Sequence, residues 1–152
     1  MSAARVRQAF ADDIGRLAAL RRAWVEEASG PIDDGGEFER EFARWADAEG
    51  ERRTAWIAFV GDAAVGMLNM AEFRRMPRPG TPSGRWGYIG NVFVLAAHRN
   101  RQIGAQLLDA AIAEATTRRY ARLVLSPSPR SVPFYRRAGF AAADSLLVLP
   151  LG

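Results

Sequence analysis

The segment AAHRNRQIGAQLL, residues 96–108, carries the clearest pattern for ligand chemistry in the chain. Arg99 and Arg101 come just before Ile103 and Gly104, where the apolar spacing of a helix begins. A helix N-terminus presents unpaired backbone N–H groups and a partial positive charge, so it binds phosphate oxygens readily. Gly104 lacks a Cβ, and a guanidinium binds phosphate through two parallel hydrogen bonds. The turn is therefore predicted to bind a diphosphate.

Residue types elsewhere exclude several other chemistries. All 21 basic residues are Arg, which excludes a Schiff-base lysine and the Gly-Lys loop of nucleotide hydrolases. The three spaced glycines of a dinucleotide fold are missing as well. The chain has no cysteine and one histidine, His98, so thiolate nucleophiles, disulfides and zinc sites of the Cys or multi-His kind are excluded. We expect no metal.

The diphosphate turn must be positioned by the elements on either side of it. A strand over 86–94, a helix over 103–117 and a strand over 122–126 form a crossover whose strands should pair in parallel. The other predicted elements are an edge strand over 4–8, helices over 14–28 and 37–49, hairpin strands over 54–60 and 65–73, a short helix over 131–138 and a last strand over 146–151. With 152 residues, we expect a single domain over 1–152 of the α/β class, with antiparallel and parallel parts.

Some side chains within these elements carry further predictions. Phe38, Phe42 and Trp45 follow the i, i+4, i+7 spacing of one helix face, which predicts that they belong to the core. Gly87 and Gly90 interrupt a strand, which predicts a bulge or the close approach of another chain or a ligand.

Two segments together resemble a known family. The run VFVLAAHRNRQIGAQLL is similar to the acetyl-CoA signature of the GCN5-related N-acetyltransferases, and FYRRAGF at 134–140 is similar to the same family's second motif. The two motifs stand in the family's order and spacing, and with the hairpin and strand before them they cover nearly the whole chain.

The resemblance implies a bent, mostly antiparallel sheet with a central parallel pair, flanked by helices. The strands over 86–94 and 122–126 would splay apart to admit the pantetheine arm of acetyl-CoA, which would pair with backbone groups of Val92, Phe93 and Val94. The residues matching the family's diphosphate loop are Arg99, Asn100, Arg101, Gln102, Ile103, Gly104 and Ala105.

This sequence departs from the family pattern at two cofactor positions. Gln102 replaces the usual Gly, and we expect it to keep the N–H contact if it has ordinary helical φ and ψ. Ser128 stands where many members have an Asn that contacts the cofactor, with Pro127 and Pro129 on either side.

The resemblance also implies catalytic roles for some residues. For each of them a simpler structural role stays open as the alternative. Tyr135 would be the general acid for the departing thiolate, or a tyrosine that only packs and forms a hydrogen bond. Glu72 would be a general base acting through water that Asn91 orders; otherwise it is a surface carboxylate, and the amine loses its proton to solvent. For His98 we expect a structural or solvent-facing role rather than a role as base.

The acceptor is predicted to be a small-molecule or peptide amine. In similar proteins the segment 74–85 borders the acceptor site, so its four arginines would favour a carboxylate, whereas the acidic helix over 37–49 would favour an amine; we favour the amine. Two alternatives stay open, a non-catalytic acyl-CoA-binding protein and a nucleic-acid-binding module suggested by the sequence pI near 10.5. The sequence further predicts a cytoplasmic protein with no nucleic-acid or membrane partner, and apolar residues in the last strand permit a homodimer.

Overall fold

A computed structural model describes residues 3–152 of the chain. Its strands and helices are, in chain order, β1 (Arg5–Gln8), α1 (Ile14–Ser29), α2 (Glu37–Glu49), β2 (Arg53–Val60), β3 (Ala63–Arg74), β4 (Arg85–Val94), α3 (Ile103–Thr117), β5 (Leu123–Val124) and α4 (Val132–Arg137). Short 3-10 turns cover Ala11–Asp13, Gly50–Arg52, Ala96–His98 and Pro129–Ser131. No helix in residues 3–152 is both long and apolar enough to span a membrane.

The five strands form one sheet in the order β1-β2-β3-β4-β5. The first three pairings are antiparallel, and β4 pairs with β5 in parallel. This confirms the mixed fold class, the predicted hairpin and the parallel crossover. The parallel pair lies at the end of the sheet rather than at its centre, because the predicted last strand over 146–151 is not a strand.

The strands β4 and β5 separate soon after they meet. They pair only at Gly87 with Leu123 and at Tyr88 with Val124, whereas β4 continues to Val94. A bulge bends β4 in this stretch, since Met67 and Asn69 of β3 pair with Phe93 and Gly90 and the intervening residues do not match one to one. The sheet is therefore closed at the start of β4 and open at its end, as the resemblance predicted.

The two glycines of β4 have different roles. A Cβ at Gly87 would lie 2.8 Å from the Leu123 side chain and 2.9 Å from Tyr120. Glycine is therefore needed at position 87 to leave room for these two side chains, and it does not form a bulge. Gly90 directly precedes Asn91, which occupies the bulge with a φ of 55°. Asparagine tolerates this left-handed conformation better than most residues.

Helices cover both faces of the sheet because side chains alternate between the faces along each strand. On one face the α3 residues Leu107, Leu108 and Ala111 pack against Leu68 and Met70. On the other face Leu17 and Leu20 of α1 pack against Ile57, Phe59 and Phe93.

Helix α2 differs from the prediction. It contributes no fully buried residue, and Trp45 is 40% exposed, so the assignment of Phe38 and Trp45 to the core is wrong, whereas Phe42 is partly buried and packs against the core. The helix packs on α1, and Arg22 of α1 joins the two by hydrogen bonds to Asp34 and Glu39. Because only one neighbour covers α2, its aromatic face is left toward an open cleft.

Candidate active site

A cleft of about 650 Å³ lies between the first turn of α3 and helix α4, and we call it the α3 cleft. Its lining residues are Val94, His98, Arg99, Asn100, Gln102, Ile103, Gly104, Ala105, Leu108, Asp109, Phe134, Arg137 and Ala138. Most of the predicted cofactor residues are thus brought together in one cleft. Four of them do not line it: Val92, Phe93, Arg101 and Ser128.

The entry to α3 has two residues in the left-handed region of backbone conformation. Asn100 has a φ of 63°, and Gln102, the N-cap of α3, has a φ of 64° and a ψ of 12°. The condition under which Gln102 was expected to keep its N–H contact, ordinary helical dihedral angles, is therefore not met. Its position is one that favours glycine, because a Cβ is strained there. The turn nevertheless forms, and the first N–H groups of α3 have no partners within the helix.

Arg99 is held at the wall of the α3 cleft by two contacts. Its Nε donates to the carbonyl oxygen of Val94 at 2.9 Å, and its Nη2 lies 2.7 Å from a carboxylate oxygen of Glu27 on α1. Its guanidinium also lies over the Phe93 ring, 5.6 Å from the centroid. These contacts fix the loop between β4 and α3, and Glu27 balances part of the charge that Arg99 would offer to a phosphate.

Sequence reasoning missed several residues of the α3 cleft. Leu108 lies one helical turn after Gly104, and α4 contributes Phe134, Arg137 and Ala138 at the spacing i, i+3, i+4. This periodicity was the signal that would have found the α4 residues. Arg137 matters most among them, because it places a second guanidinium on the wall opposite Arg99.

Val92, Phe93 and Ser128 are placed differently from the loop residues. Phe93 is buried and stacks on Trp24 at 5.3 Å, and Val92 packs against the core, so only their backbone groups face the open edge of β4. Ser128 lies in the loop after β5, where its hydroxyl donates to the Ser131 hydroxyl at 3.1 Å. That loop is at the open end of the sheet but outside the lining of the cleft.

The α3 cleft fits the diphosphate and pantetheine of a coenzyme A thioester. The N-terminus of α3 and the guanidinium of Arg137 offer donors to phosphate, and the edge of β4 beyond Tyr88 has no strand beside it in residues 3–152. The buried Nδ1 of His98, which also lines the cleft, has no hydrogen-bond partner in the same residues.

Tyr135 lies on α4 and packs against the core, next to Phe134 of the α3 cleft but not itself in the lining of either cleft. Its ring meets Phe134 and Phe140 edge-on, with centroids 4.9 and 5.9 Å away. Burial raises the pKa of the Tyr135 phenol, and the Tyr88 hydroxyl raises it further. Since Tyr88 is the last β4 residue paired with β5, this interaction places Tyr135 near the point where the strands part.

The structure contradicts the predicted role of Glu72 as a base. Glu72 pairs with Gly87 at the closed end of the sheet and lines neither cleft, and its side chain is 5% exposed. It accepts hydrogen bonds from the Tyr120 hydroxyl at 2.7 Å and from Arg74 at 2.9 Å. Burial by itself raises the pKa of Glu72, but these bonds and the charge of Arg85 outweigh burial and hold it below its usual value. Glu72 is a buried structural carboxylate, and the alternative of a surface carboxylate is wrong too.

A second cleft, of about 940 Å³, lies between helices α1 and α2 and the middle of the sheet, and we call it the α2 cleft. Its lining includes Phe38, Phe42 and Trp45 on one side and Asn69 and Asn91 at the sheet. The α3 cleft reaches β4 at Val94, three residues after Asn91. The two clefts therefore meet β4 at either side of its bulge.

The two charge signals predicted for the acceptor site lie at different places in the structure. No residue of the 74–85 segment lines the α2 cleft. Arg74 and Arg85 are bound to Glu72 at the closed end of the sheet. The acidic helix α2, by contrast, contributes Glu41 and Asp47 to the lining.

Comparisons with known proteins agree with this geometry. Residues 17–140 match the model of the acetyltransferase (GNAT) family. No curated protein sequence matches the chain at a significant level. Three crystal structures share the fold over almost all of both chains.

A predicted acetyltransferase from Clostridium acetobutylicum, solved with acetyl-CoA, is 24% identical with a TM-score of 0.76, over 97% of this chain and 96% of that one. A GCN5-related N-acetyltransferase from Ralstonia eutropha JMP134 is 25% identical with a TM-score of 0.71, over 97% and 98%. A ribosomal-protein-alanine N-acetyltransferase from Brucella melitensis biovar Abortus 2308 is 23% identical with a TM-score of 0.72, over 99% and 100%.

The family match covers the structural features described above. The splayed parallel pair, the turn into α3 and the aromatic α4 segment all lie within the matched residues. The family match favours an enzyme over the two alternatives left open by the sequence. With its diphosphate turn and splayed strands in place, the chain belongs to the GNAT acetyltransferase family and is an acyltransferase.

Proposed function

We propose that the protein transfers an acetyl group from acetyl-CoA directly to a primary amine, without a covalent enzyme intermediate. The observation that carries this proposal is that the two clefts reach β4 within three residues of each other, at Asn91 in the bulge and at Val94, where β4 has parted from β5. The α3 cleft would hold acetyl-CoA, which supplies an acetyl group activated as a thioester. The α2 cleft would hold the amine, so that the nitrogen approaches the bulge from the other side.

The residues of the α3 cleft have binding and positioning roles in this proposal. The N–H groups around Ile103, Gly104 and Ala105 would bind the diphosphate, and Arg137 would add a guanidinium. Arg99 would hold the loop in shape through Val94 and Glu27. The backbone of Val92 to Val94 would pair with the pantetheine arm along the open edge of β4.

Tyr135 would be the general acid. As the carbon–nitrogen bond forms and the carbon–sulfur bond breaks, its hydroxyl would donate a proton to the departing thiolate. Burial supports the role, because the raised pKa of Tyr135 keeps the phenol protonated at neutral pH. With Glu72 outside the site, the proton of the amine would pass to water.

The test is a pair of measurements on the wild type and the Tyr135→Phe variant. We expect acetyl-CoA to bind both equally by calorimetry, while kcat for CoA release falls at least about tenfold in the variant, the modest size reflecting an easily departing thiolate. Because the pKa is raised, the wild-type rate should not decline through loss of this proton until the pH passes about 10, the usual value for a phenol. Tyr120→Phe, outside both clefts, is the control. A variant rate within twofold of wild type would remove Tyr135 from the chemistry.

We also propose that the protein forms a homodimer through its last residues. Leu147, Val148, Leu149 and Leu151 are 79–99% exposed in a single chain. A contiguous apolar run of this kind is typical of an interaction surface. A cytoplasmic location stays a prediction from the sequence, to be tested by cell fractionation.

A further inference from the structure

The wall that α2 gives to the α2 cleft is aromatic. Phe38, Phe42 and Trp45 form a continuous row, with ring centroids 5.8 Å apart in the first pair and 5.3 Å apart in the second. Within this row Phe42 is partly buried and packs against the core, whereas Trp45 is 40% exposed and has surface free for a ligand. Aromatic rows that border an open cleft commonly bind the flat or apolar part of a ligand.

The other side of the α2 cleft is also largely apolar. It is formed by Phe10, Ile14 and Leu17 before and within α1 and by Met67 and Leu68 of β3. A polyhydroxylated ligand would form few hydrogen bonds between these walls. Its hydroxyl groups would also lose the hydrogen bonds that they form with water. The volume of about 940 Å³ suits a small molecule.

A chain of polar groups closes the inner end of the cleft at the bulge. Asn69 donates to the side-chain oxygen of Asn91 at 2.7 Å and accepts from Arg53 at 2.9 Å. Arg53 is in turn bound to Glu49 and lies over the Trp45 ring, 5.2 Å from the centroid. The positive charge of Arg53 is therefore already balanced, and it is not available to bind the carboxylate of a ligand.

The remaining charges in the lining favour a cation. Glu41 and Asp47 form no ion pair within residues 3–152, whereas most of the neighbouring acids do. Arg21, the other basic side chain of the lining, lies over the Trp24 ring at 4.9 Å, so the lining charges without an ion-pair partner in residues 3–152 are two carboxylates and one guanidinium. A ligand carrying an ammonium group would be attracted to this cleft, and one carrying a carboxylate would be disfavoured.

We propose that the acceptor is a primary amine with a flat, apolar body and no carboxylate. This inference rests on the proposed function and narrows its substrate class. The body lies against Phe38, Phe42 and Trp45, and the nitrogen points to Asn91 at the bulge. After the ammonium loses one proton to water, the nitrogen forms a bond to the acetyl carbon, the carbon–sulfur bond breaks, and the amine's second proton passes to water.

The test compares three amines at saturating acetyl-CoA by the rate of CoA release. The probes are 2-phenylethylamine, phenylalanine, which adds a carboxylate to the same body, and glucosamine, which replaces the apolar body by hydroxyl groups. We expect kcat/KM for 2-phenylethylamine to exceed the other two values at least about tenfold. Phe38→Ala and Trp45→Ala should each raise its KM at least fivefold and leave the Kd of acetyl-CoA unchanged.

The control variant is Phe73→Ala, which removes an exposed aromatic ring outside both clefts. Its KM for 2-phenylethylamine should equal that of the wild type, and circular dichroism checks that each variant is folded. A preference for glucosamine or phenylalanine, or an unchanged KM in both cleft variants, would overturn the acceptor class and leave the proposed function standing. Absence of CoA release with these amines and with a peptide N-terminus would overturn the proposed function and the acceptor class together.

Discussion

Gln102 shows how much a single backbone conformation matters at a ligand-binding turn. It caps α3 with a φ of 64°, and Asn100, two residues earlier, has a φ of 63°, so two left-handed residues lie in the turn that leads into the helix. The turn is held in place from outside, by the bonds of Arg99 to Val94 and Glu27. Strain of this kind persists only where surrounding contacts fix the conformation.

Replacing this residue by glycine should stabilise the protein. For Gln102→Gly we expect the free energy of unfolding to rise by about 0.5–1 kcal/mol, since relief of the left-handed strain exceeds the added flexibility of the unfolded chain. Urea denaturation measures the change. Ala105→Gly, inside α3, is the matched control and should lower the same quantity by about 1 kcal/mol. If Gln102→Gly and Ala105→Gly lowered the free energy of unfolding equally, Gln102 would be unstrained.

At the scale of elements, the strand β4 has two ends with different functions. Its first residues pair with β3 and β5 over a buried ionic cluster in which Glu72 binds Tyr120, Arg74 and Arg85. Its last residues pair with β3 alone. The closed end stabilises the sheet, and the open end is left to bind ligands.

Because Glu72 lies at the closed end of β4, we expect Glu72→Gln to destabilise the protein without lowering its catalytic activity. The free energy of unfolding at pH 7 should fall by about 1–2 kcal/mol, because Arg74 and Arg85 lose their charged partner but are partly exposed to water. The turnover rate of the folded enzyme should stay within twofold. Urea denaturation and CoA release measure the two effects, and Glu51→Gln is a control for the change in charge. Loss of activity in a stable Glu72→Gln protein would restore Glu72 as a candidate base.

The difference in stability between the wild type and Glu72→Gln should also depend on pH. The pKa of Glu72 is held below its usual value in the folded protein, so the carboxylate contributes stability above the ordinary unfolded value of about 4.3. That contribution is lost as the pH falls through the folded pKa. The wild type and Glu72→Gln should therefore become equally stable in acid, which unfolding curves at pH 7 and below pH 4 will measure.

At the scale of the whole molecule, charge and apolar surface are unevenly distributed. The acidic stretch over 26–51 is tied to the rest of the protein by Arg22 and, across 72 residues of sequence, by the bond of Arg99 to Glu27. Residues 146–151, by contrast, form no strand and leave their apolar side chains in water. A single chain thus pairs part of its acidic stretch and leaves its last apolar segment exposed to water.

The proposed homodimer follows from this exposed segment. Light scattering at micromolar concentration should give twice the 16.7 kDa mass of the chain. Introducing arginine at both exposed positions, Leu147→Arg with Leu149→Arg, should give a monomer, because burying two charges without partners is costly. Met76→Arg, at a 90% exposed position in the loop before β4, should remain dimeric. A monomeric wild type would exclude this assembly.

The sequence by itself determined what depends on local pattern. The period-2 hairpin, the helix α3 and the residues of its first turn were all predicted, because each signal lies within a short stretch of chain. The two motifs of the resemblance, which cover the diphosphate turn and the α4 segment, lie within the residues that match the family. The parallel crossover followed from the order of the elements.

Only the tertiary structure decided what depends on distant neighbours. Glu72 is a structural carboxylate because register places it beside Gly87 and under Tyr120, 48 residues away in sequence. The aromatic row of α2 borders a cleft because α2 packs mainly on α1 and only Phe42 of the row reaches the core, although its spacing is that of a core helix. Helical and strand periodicity state which side chains share a face. What covers that face, and how closely, is set by packing between segments that the sequence does not place next to one another.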